Sequence, residues 1–146
     1  MDKIDSVEIL LAEDSDADAE MTTRALLKGR ITHKVFRVHD GVEALEFIFR
    51  TGAFSHRADR PPKVILLDLK MPRVGGIEVL RRVKADERTK LIPVVMLTSS
   101  AEQQDLCTSY QLGVNSYLVK PMDFSAFSAV VSEAGTYWST FNRVPT

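Results

Sequence analysis

The chain has 146 residues, 45% apolar and 27% charged, and its 19 basic and 20 acidic side chains leave a net charge of −1. That length holds one domain with its own core, and the composition excludes a disordered or collagen-like chain. The near-neutral charge excludes a general attraction to nucleic acid or to an anionic membrane.

The single cysteine, Cys107, excludes an internal disulfide and a cysteine-rich zinc site. No apolar run approaches the roughly 20 residues that span a bilayer. The acidic start, Met1-Asp2-Lys3-Ile4-Asp5, has no apolar core of the kind a signal peptide needs, so the expected location is the cytoplasm.

In chain order, Ile9-Leu10-Leu11-Ala12 predicts a first strand. Ser15 or Asp16 caps a first helix that runs to about Lys28, with Ala17, Met21, Ala25 and Leu26 on its inner face. The mixed run Lys34-Val35-Phe36-Arg37-Val38 suits an edge strand. A second helix follows over about 42–50, with Leu45, Ile48 and Phe49 inward. Residues 51–62 contain Gly52 and the Pro61-Pro62 pair and read as a long surface loop.

Val64-Ile65-Leu66-Leu67 predicts the third strand, and Ile77, Leu80 and Val83 mark the third helix. Val94-Val95-Met96-Leu97 predicts the fourth strand. The fourth helix, over about 102–112, takes Cys107 as a packing residue. Tyr117-Leu118-Val119 makes the fifth strand. The last helix begins near Asp123 and carries aromatic residues as far as Tyr137, Trp138 and Phe141.

Unbroken apolar runs suit strands covered on both faces, and strand–helix alternation repeated five times predicts a doubly wound parallel α/β sheet. In such sheets, ligands bind outside the carboxyl ends of the strands. Glu13 and Asp14 follow the first strand, Asp68 the third, Thr98 with Ser99 and Ser100 the fourth, and Lys120-Pro121 the fifth. Three converging carboxylates repel one another unless a cation sits among them. Oxygen-only ligands select a hard divalent ion, Mg²⁺ or Mn²⁺. An ammonium and a hydroxyl beside them complete a site for a phosphoryl group in transfer.

The ordered set Glu13-Asp14, Leu66-Leu67-Asp68-Leu69-Lys70-Met71-Pro72, Thr98-Ser99 and Tyr117-Leu118-Val119-Lys120-Pro121 resembles the receiver domain of two-component response regulators. The Glu13-Asp14-Ser15-Asp16-Ala17-Asp18 start, the long loop and the aromatic tail most resemble the single-domain regulators of bacterial phytochrome kinases. The resemblance covers residues 7–135 and leaves 136–146 as an aromatic extension of the last helix. It implies a five-stranded sheet of order 2-1-3-4-5 with five helices.

It also implies roles. Asp68 would be the phosphoacceptor, attacking a phosphohistidine of a sensor histidine kinase. Glu13, Asp14, Asp68 and the backbone carbonyl of Lys70 would serve Mg²⁺ (or Mn²⁺), Glu13 mainly through metal-bound water. Lys120 would pair with Asp68 at rest and with the phosphoryl group afterwards. Thr98 would hydrogen-bond that group, and Tyr117 would be the switch aromatic that turns inward with it. The bond before Pro121 would be cis. The domain would catalyse its own phosphorylation and dephosphorylation and turn over no external metabolite.

Where receivers commonly have Asp-Gly after the Met-Pro turn, this chain has Gly75-Gly76, expected to keep that turn accessible. Lys70 and Ser100 are expected to set the lifetime of the phosphorylated state by controlling water access. No recognition helix for DNA is visible after the fifth helix, so output is expected through the face of helix four, strand five and helix five. Tyr137, Trp138 and Phe141 exceed what the core needs and predict a homodimer contact. The alternative is a binding module on the same fold that works without phosphorylation.

Overall fold

A computed structural model describes residues 7–28 and 34–145. Five parallel strands, β1 (Ile9–Ala12), β2 (Val35–Val38), β3 (Val64–Leu67), β4 (Val94–Thr98) and β5 (Ser116–Val119), form one sheet of order β2-β1-β3-β4-β5. Helices α1 (Asp16–Lys28), α2 (Gly41–Phe49), α3 (Gly76–Ala85), α4 (Gln103–Gln111) and α5 (Phe124–Thr136) connect and follow them. The fold class, strand order and helix count match the expectation from sequence.

The strands' unbroken apolar runs have a direct cause. Along β1, Leu10 and Ala12 point into one core and Ile9 and Leu11 into the other. β3 and β4 alternate in the same way, so every position is covered. The first core lies under α2 and α3 and holds Ala44, Phe47, Leu80 and Val83. The second lies under α1 and α5 and holds Ala25, Leu26, Phe127 and Val131. β2 and β5 close the two edges, and their residues are mostly half-buried.

Several sequence expectations need correction. The inner face of α1 is Ala19, Thr22, Ala25 and Leu26. Ala17 is exposed and Met21 only half-buried, because the buried stripe runs at helical spacing through Ala19, Thr22 and Leu26 and not through Ala17. Cys107 is exposed rather than packed, since Ser109 is the one fully buried side chain of α4. The peptide bond before Pro121 is trans.

The 51–62 loop is held down by a buried cation. A 3₁₀ turn (Gly52–Phe54) buries Phe54 against Phe36 and Phe47. The Arg57 guanidinium stacks 4.3 Å from the Phe47 ring centroid. Its Nε donates to the Phe47 carbonyl at 3.0 Å and its Nη1 to the Arg60 carbonyl at 2.9 Å. Carbonyls left over at the C-terminal end of α2 suit a positive charge. Arg57 thus fastens the connection between α2 and β3, two elements that frame one side of the strand ends.

Phe47→Ala is expected to destabilise the domain by about 3–5 kcal/mol. Arg57→Ala, which strips the charge-assisted bonds from carbonyls of α2, is expected to cost about 2–3 kcal/mol. Urea unfolding of both single variants and the double variant checks this. The double variant should lose less than the sum, because the ring and the guanidinium stack on each other.

Candidate functional site

Backbone hydrogen bonds carry the sheet one residue beyond its paired strands and so fix the site residues against one another. The Glu13 N–H donates to the Val38 carbonyl at 3.1 Å, the Asp68 N–H to the Ala12 carbonyl at 3.0 Å, and the Lys120 N–H to the Thr98 carbonyl at 2.7 Å. Glu13, Asp68, Thr98 and Lys120 therefore start from neighbouring points on one sheet edge. Carboxylate oxygens of Glu13, Asp14 and Asp68 lie within 4.8 Å of one another.

The Lys120 ammonium bridges the acids. It donates to Glu13 Oε1 at 2.6 Å, to Asp18 Oδ2 at 2.9 Å and to Asp68 Oδ2 at 3.3 Å. The contact to Asp68 was expected. Asp18 is not among the expected site residues, because it stands in the first turn of α1 and not at a strand end. Its one sequence signal was its place in the acidic start of that helix.

Burial pushes the Glu13 carboxyl up to about 7; the Lys120 hydrogen bond opposes this and neighbouring Asp68 adds to it. Burial alone would lower Lys120. Its hydrogen bonds to Glu13 and Asp18, with the Asp68 charge, hold it instead above the ordinary lysine range.

Each loop at this edge has its own anchor. Ser15 Oγ caps α1 by accepting from the Asp18 N–H at 3.2 Å, and Glu13 Oε2 accepts from the Ser15 N–H at 3.2 Å. Arg37 on β2 donates to the Glu13 carbonyl at 2.9 Å and to Asp16 Oδ1 at 2.7 Å. After β3, Arg73 adopts a left-handed φ of 65° and grips Asp40 with two bonds of 2.9 and 3.0 Å. Asp40 in turn caps α2.

Gly76 is required by close approach. A Cβ there would meet the Asp68 carbonyl oxygen at 2.2 Å. Neither Gly75 nor Gly76 has a positive φ, and a Cβ at Gly75 would meet nothing closer than 3.5 Å, so of the pair only Gly76 is required, by its contact with the Asp68 strand end. The Lys70 side chain is exposed, and its N–H lies 3.4 Å from Asp68 Oδ1.

On the other side of Asp68, Thr98 is buried and its Oγ1 accepts from the Ser100 N–H at 3.2 Å. Ser100 Oγ donates to Asp105 Oδ2 at 2.6 Å. The half-buried Tyr117 donates its hydroxyl to the Ser100 carbonyl at 2.9 Å. Thr98 and Tyr117 thus meet through one residue of the β4–α4 loop. Burial raises the Tyr117 phenol above its ordinary range, keeping it a donor.

A family profile for the response regulator receiver domain matches residues 9–132. The chain belongs to this family. The receiver is 40% identical over 137 residues to the probable methanogenesis regulatory protein FilR2 of Methanothrix harundinacea, covering 94% of this chain and 86% of that one. It is 36% identical over 130 residues to the response regulator Rcp1 of Synechocystis, covering 89% and 87%. Among solved structures, the phosphorylated cyanobacterial phytochrome response regulator RcpA superposes with a TM-score of 0.88 at 35% identity, covering 94% and 97%. The Mn²⁺-bound form of Rcp1 does so with a TM-score of 0.87 at 35% identity, covering 94% and 98%.

Receivers bind divalent metal, and the donor set of this receiver fits one. Three carboxylates converge on one edge with a single ammonium, which leaves net negative charge in a partly buried space. Oxygen ligands alone suit a hard divalent cation. Among the described residues no helix is long and apolar enough to cross a membrane.

The raised Glu13 gives a pH test with a definite sign. Unfolded Glu13 ionises near 4.5, whereas in the folded receiver it keeps its proton to about 7. Between those values the folded state binds more protons, so rising pH withdraws stability. Thermal melts of metal-free protein should show Glu13→Gln gaining on wild type across this window, by about 6–12 °C at its upper end. Parallel melting curves would contradict the assignment.

Proposed function

We propose that this receiver accepts a phosphoryl group on Asp68 from a phosphohistidine of a sensor histidine kinase. The reaction would depend on Mg²⁺ and take place in the cytoplasm. The observation that carries the reading is the placement of the Asp68 carboxylate between an acid cluster and the Lys120 ammonium, with the buried Thr98 hydroxyl at the end of the adjacent strand.

An Asp68 oxygen attacks phosphorus and forms the O–P bond. The N–P bond to the imidazole breaks, and its electron pair returns to the ring nitrogen. Glu13, Asp14 and Asp68, with the Lys70 carbonyl, would hold Mg²⁺ (or Mn²⁺), which supplies positive charge to the phosphoryl oxygens when bound. Lys120 and Thr98 donate hydrogen bonds to those oxygens. The same groups assist the return attack of water, so the domain catalyses its own dephosphorylation. Lys70 and Ser100, the first exposed and the second buried beside Thr98, set the access of that water.

Phosphorylation adds charge and three acceptor oxygens at one point. If Thr98 turns toward them, the Ser100 N–H loses its acceptor and the Tyr117 anchor shifts with the loop. The change then reaches the α4–β5–α5 face, where a protein target reads it. The likeness to phytochrome response regulators supports a phytochrome as the kinase.

The C-terminal turn Tyr137–Phe141 supplies a dimer contact. Trp138 is half-buried against the core under α1 and α5, whereas Tyr137 is 50% and Phe141 70% exposed. The outward rings therefore carry the contact. Light scattering after size exclusion should show a dimer for wild type and a monomer for the Tyr137→Ala/Phe141→Ala double variant. Equal masses would remove the dimer from this account.

The function itself is tested by intact-mass spectrometry after incubation with Mg²⁺ and acetyl phosphate. Wild type should gain one phosphoryl mass and Asp68→Asn none. No gain in wild type would favour a module that works without phosphorylation.

A further inference from the structure

Lys120 has three N–H donors, and in the resting receiver each faces a carboxylate. The phosphoacceptor holds the longest of the three contacts, 3.3 Å, and Asp18 a shorter one, 2.9 Å. The donor that faces Asp68 can pass to a phosphoryl group formed there, and a second bond to that group requires another carboxylate to let go.

The two remaining candidates differ in freedom. Glu13 is buried, with 2% of its side chain exposed, and its second oxygen is held by the Ser15 N–H. Asp18 is 34% exposed. Beside it opens a cleft of about 280 Å³, lined by Asp18, Ser99, Lys120, Pro121, Met122 and Phe124. Its carboxylate can turn into that space and be rehydrated there, whereas Glu13 would have to leave a buried position with no water to receive it.

We propose that Asp18 is a positioning residue for phosphoryl transfer: an exchangeable counter-ion that draws Lys120 away from Asp68 at rest and yields it when the phosphoryl group arrives. This rests on Asp68 being the phosphoacceptor. Holding Lys120 on Asp18 leaves the Asp68 carboxylate less masked for attack. The cost appears afterwards, because the phosphoryl oxygens must compete with Asp18 for the ammonium. Asp18 therefore lowers the affinity of the site for a phosphoryl group already in place. Asp18 is also an acid in the first turn of α1, where it favours the helix dipole, so the test has to separate the two roles.

The full chain, titrated with beryllofluoride in saturating Mg²⁺ by calorimetry, gives the affinity for a phosphoryl mimic directly. Mg²⁺ affinity and melting temperature are measured alongside. Asp18→Asn should bind beryllofluoride about 5- to 10-fold more tightly than wild type, on the scale of one exposed charge-assisted contact. Its Mg²⁺ affinity should stay within about twofold, a change too small to account for that gain. Asp18→Glu, which keeps a carboxylate within reach, should stay near wild type.

Unchanged or weaker beryllofluoride binding in Asp18→Asn, with wild type still binding, would overturn the counter-ion role alone. An Asp18→Glu protein as tight as Asp18→Asn would overturn it too. Wild type that binds no beryllofluoride would overturn the phosphoacceptor reading and this inference with it.

Discussion

One ammonium stands among carboxylates at the end of the sheet, and most of the structure around it serves to keep it there. Lys120 touches Glu13, Asp18 and Asp68, with Asp14 beside them. Four acids against one base is an arrangement that water would disperse. The fold forbids dispersal by building Glu13, Asp68 and Lys120 onto backbone hydrogen bonds of the sheet itself. The excess negative charge is the physical reason the edge suits a divalent cation. The Lys120 ammonium held among these acids is the group that can respond to a new anion.

The supporting contacts reach outward in layers. Arg37 holds the Glu13 backbone, Arg73 ties the loop after Asp68 to the α2 cap, and Gly76 lets α3 start directly against the Asp68 carbonyl. On the far side, Thr98, Ser100, Asp105 and Tyr117 form a chain of hydrogen bonds from the site to the α4–β5 surface. The first group resists motion with charge-assisted bonds. The second includes a neutral bond to a loop carbonyl, which is easier to exchange for another partner. That contrast separates the part that must stay still during transfer from the part that carries the change.

Most of the fold, and every acid around Lys120 except Asp18, is legible in the sequence. Buried parallel strands leave unbroken apolar runs, and the residue after each run is placed by the sheet, so Glu13, Asp14, Asp68, Thr98 and Lys120 could be found by counting. Asp18 cannot be found in this way, because its bond to Lys120 comes from α1 packing against α5, elements a hundred residues apart. Arg57 read as part of a solvated loop, since nothing local shows that helix carbonyls and an aromatic face await it. The inner face of α1 departs from the expected one because Ala19 and the polar Thr22 take buried positions while Met21 stays half-buried, which apolar spacing alone does not show. Cys107 reads as a packing residue of the fourth helix, whereas α4 is mostly polar and buries only Ser109.

The central claim is that Lys120 is immobilised by carboxylates at rest and released to a phosphoryl group. Heteronuclear NMR of the lysine ammonium groups tests it without perturbing the protein, because a fully hydrogen-bonded ammonium exchanges its protons slowly with water. The account predicts a protected Lys120 resonance in the resting domain that shifts when beryllofluoride is added with Mg²⁺. A Lys120 signal that exchanges as fast as that of exposed Lys70, or one that is unmoved by the phosphoryl mimic, would contradict it.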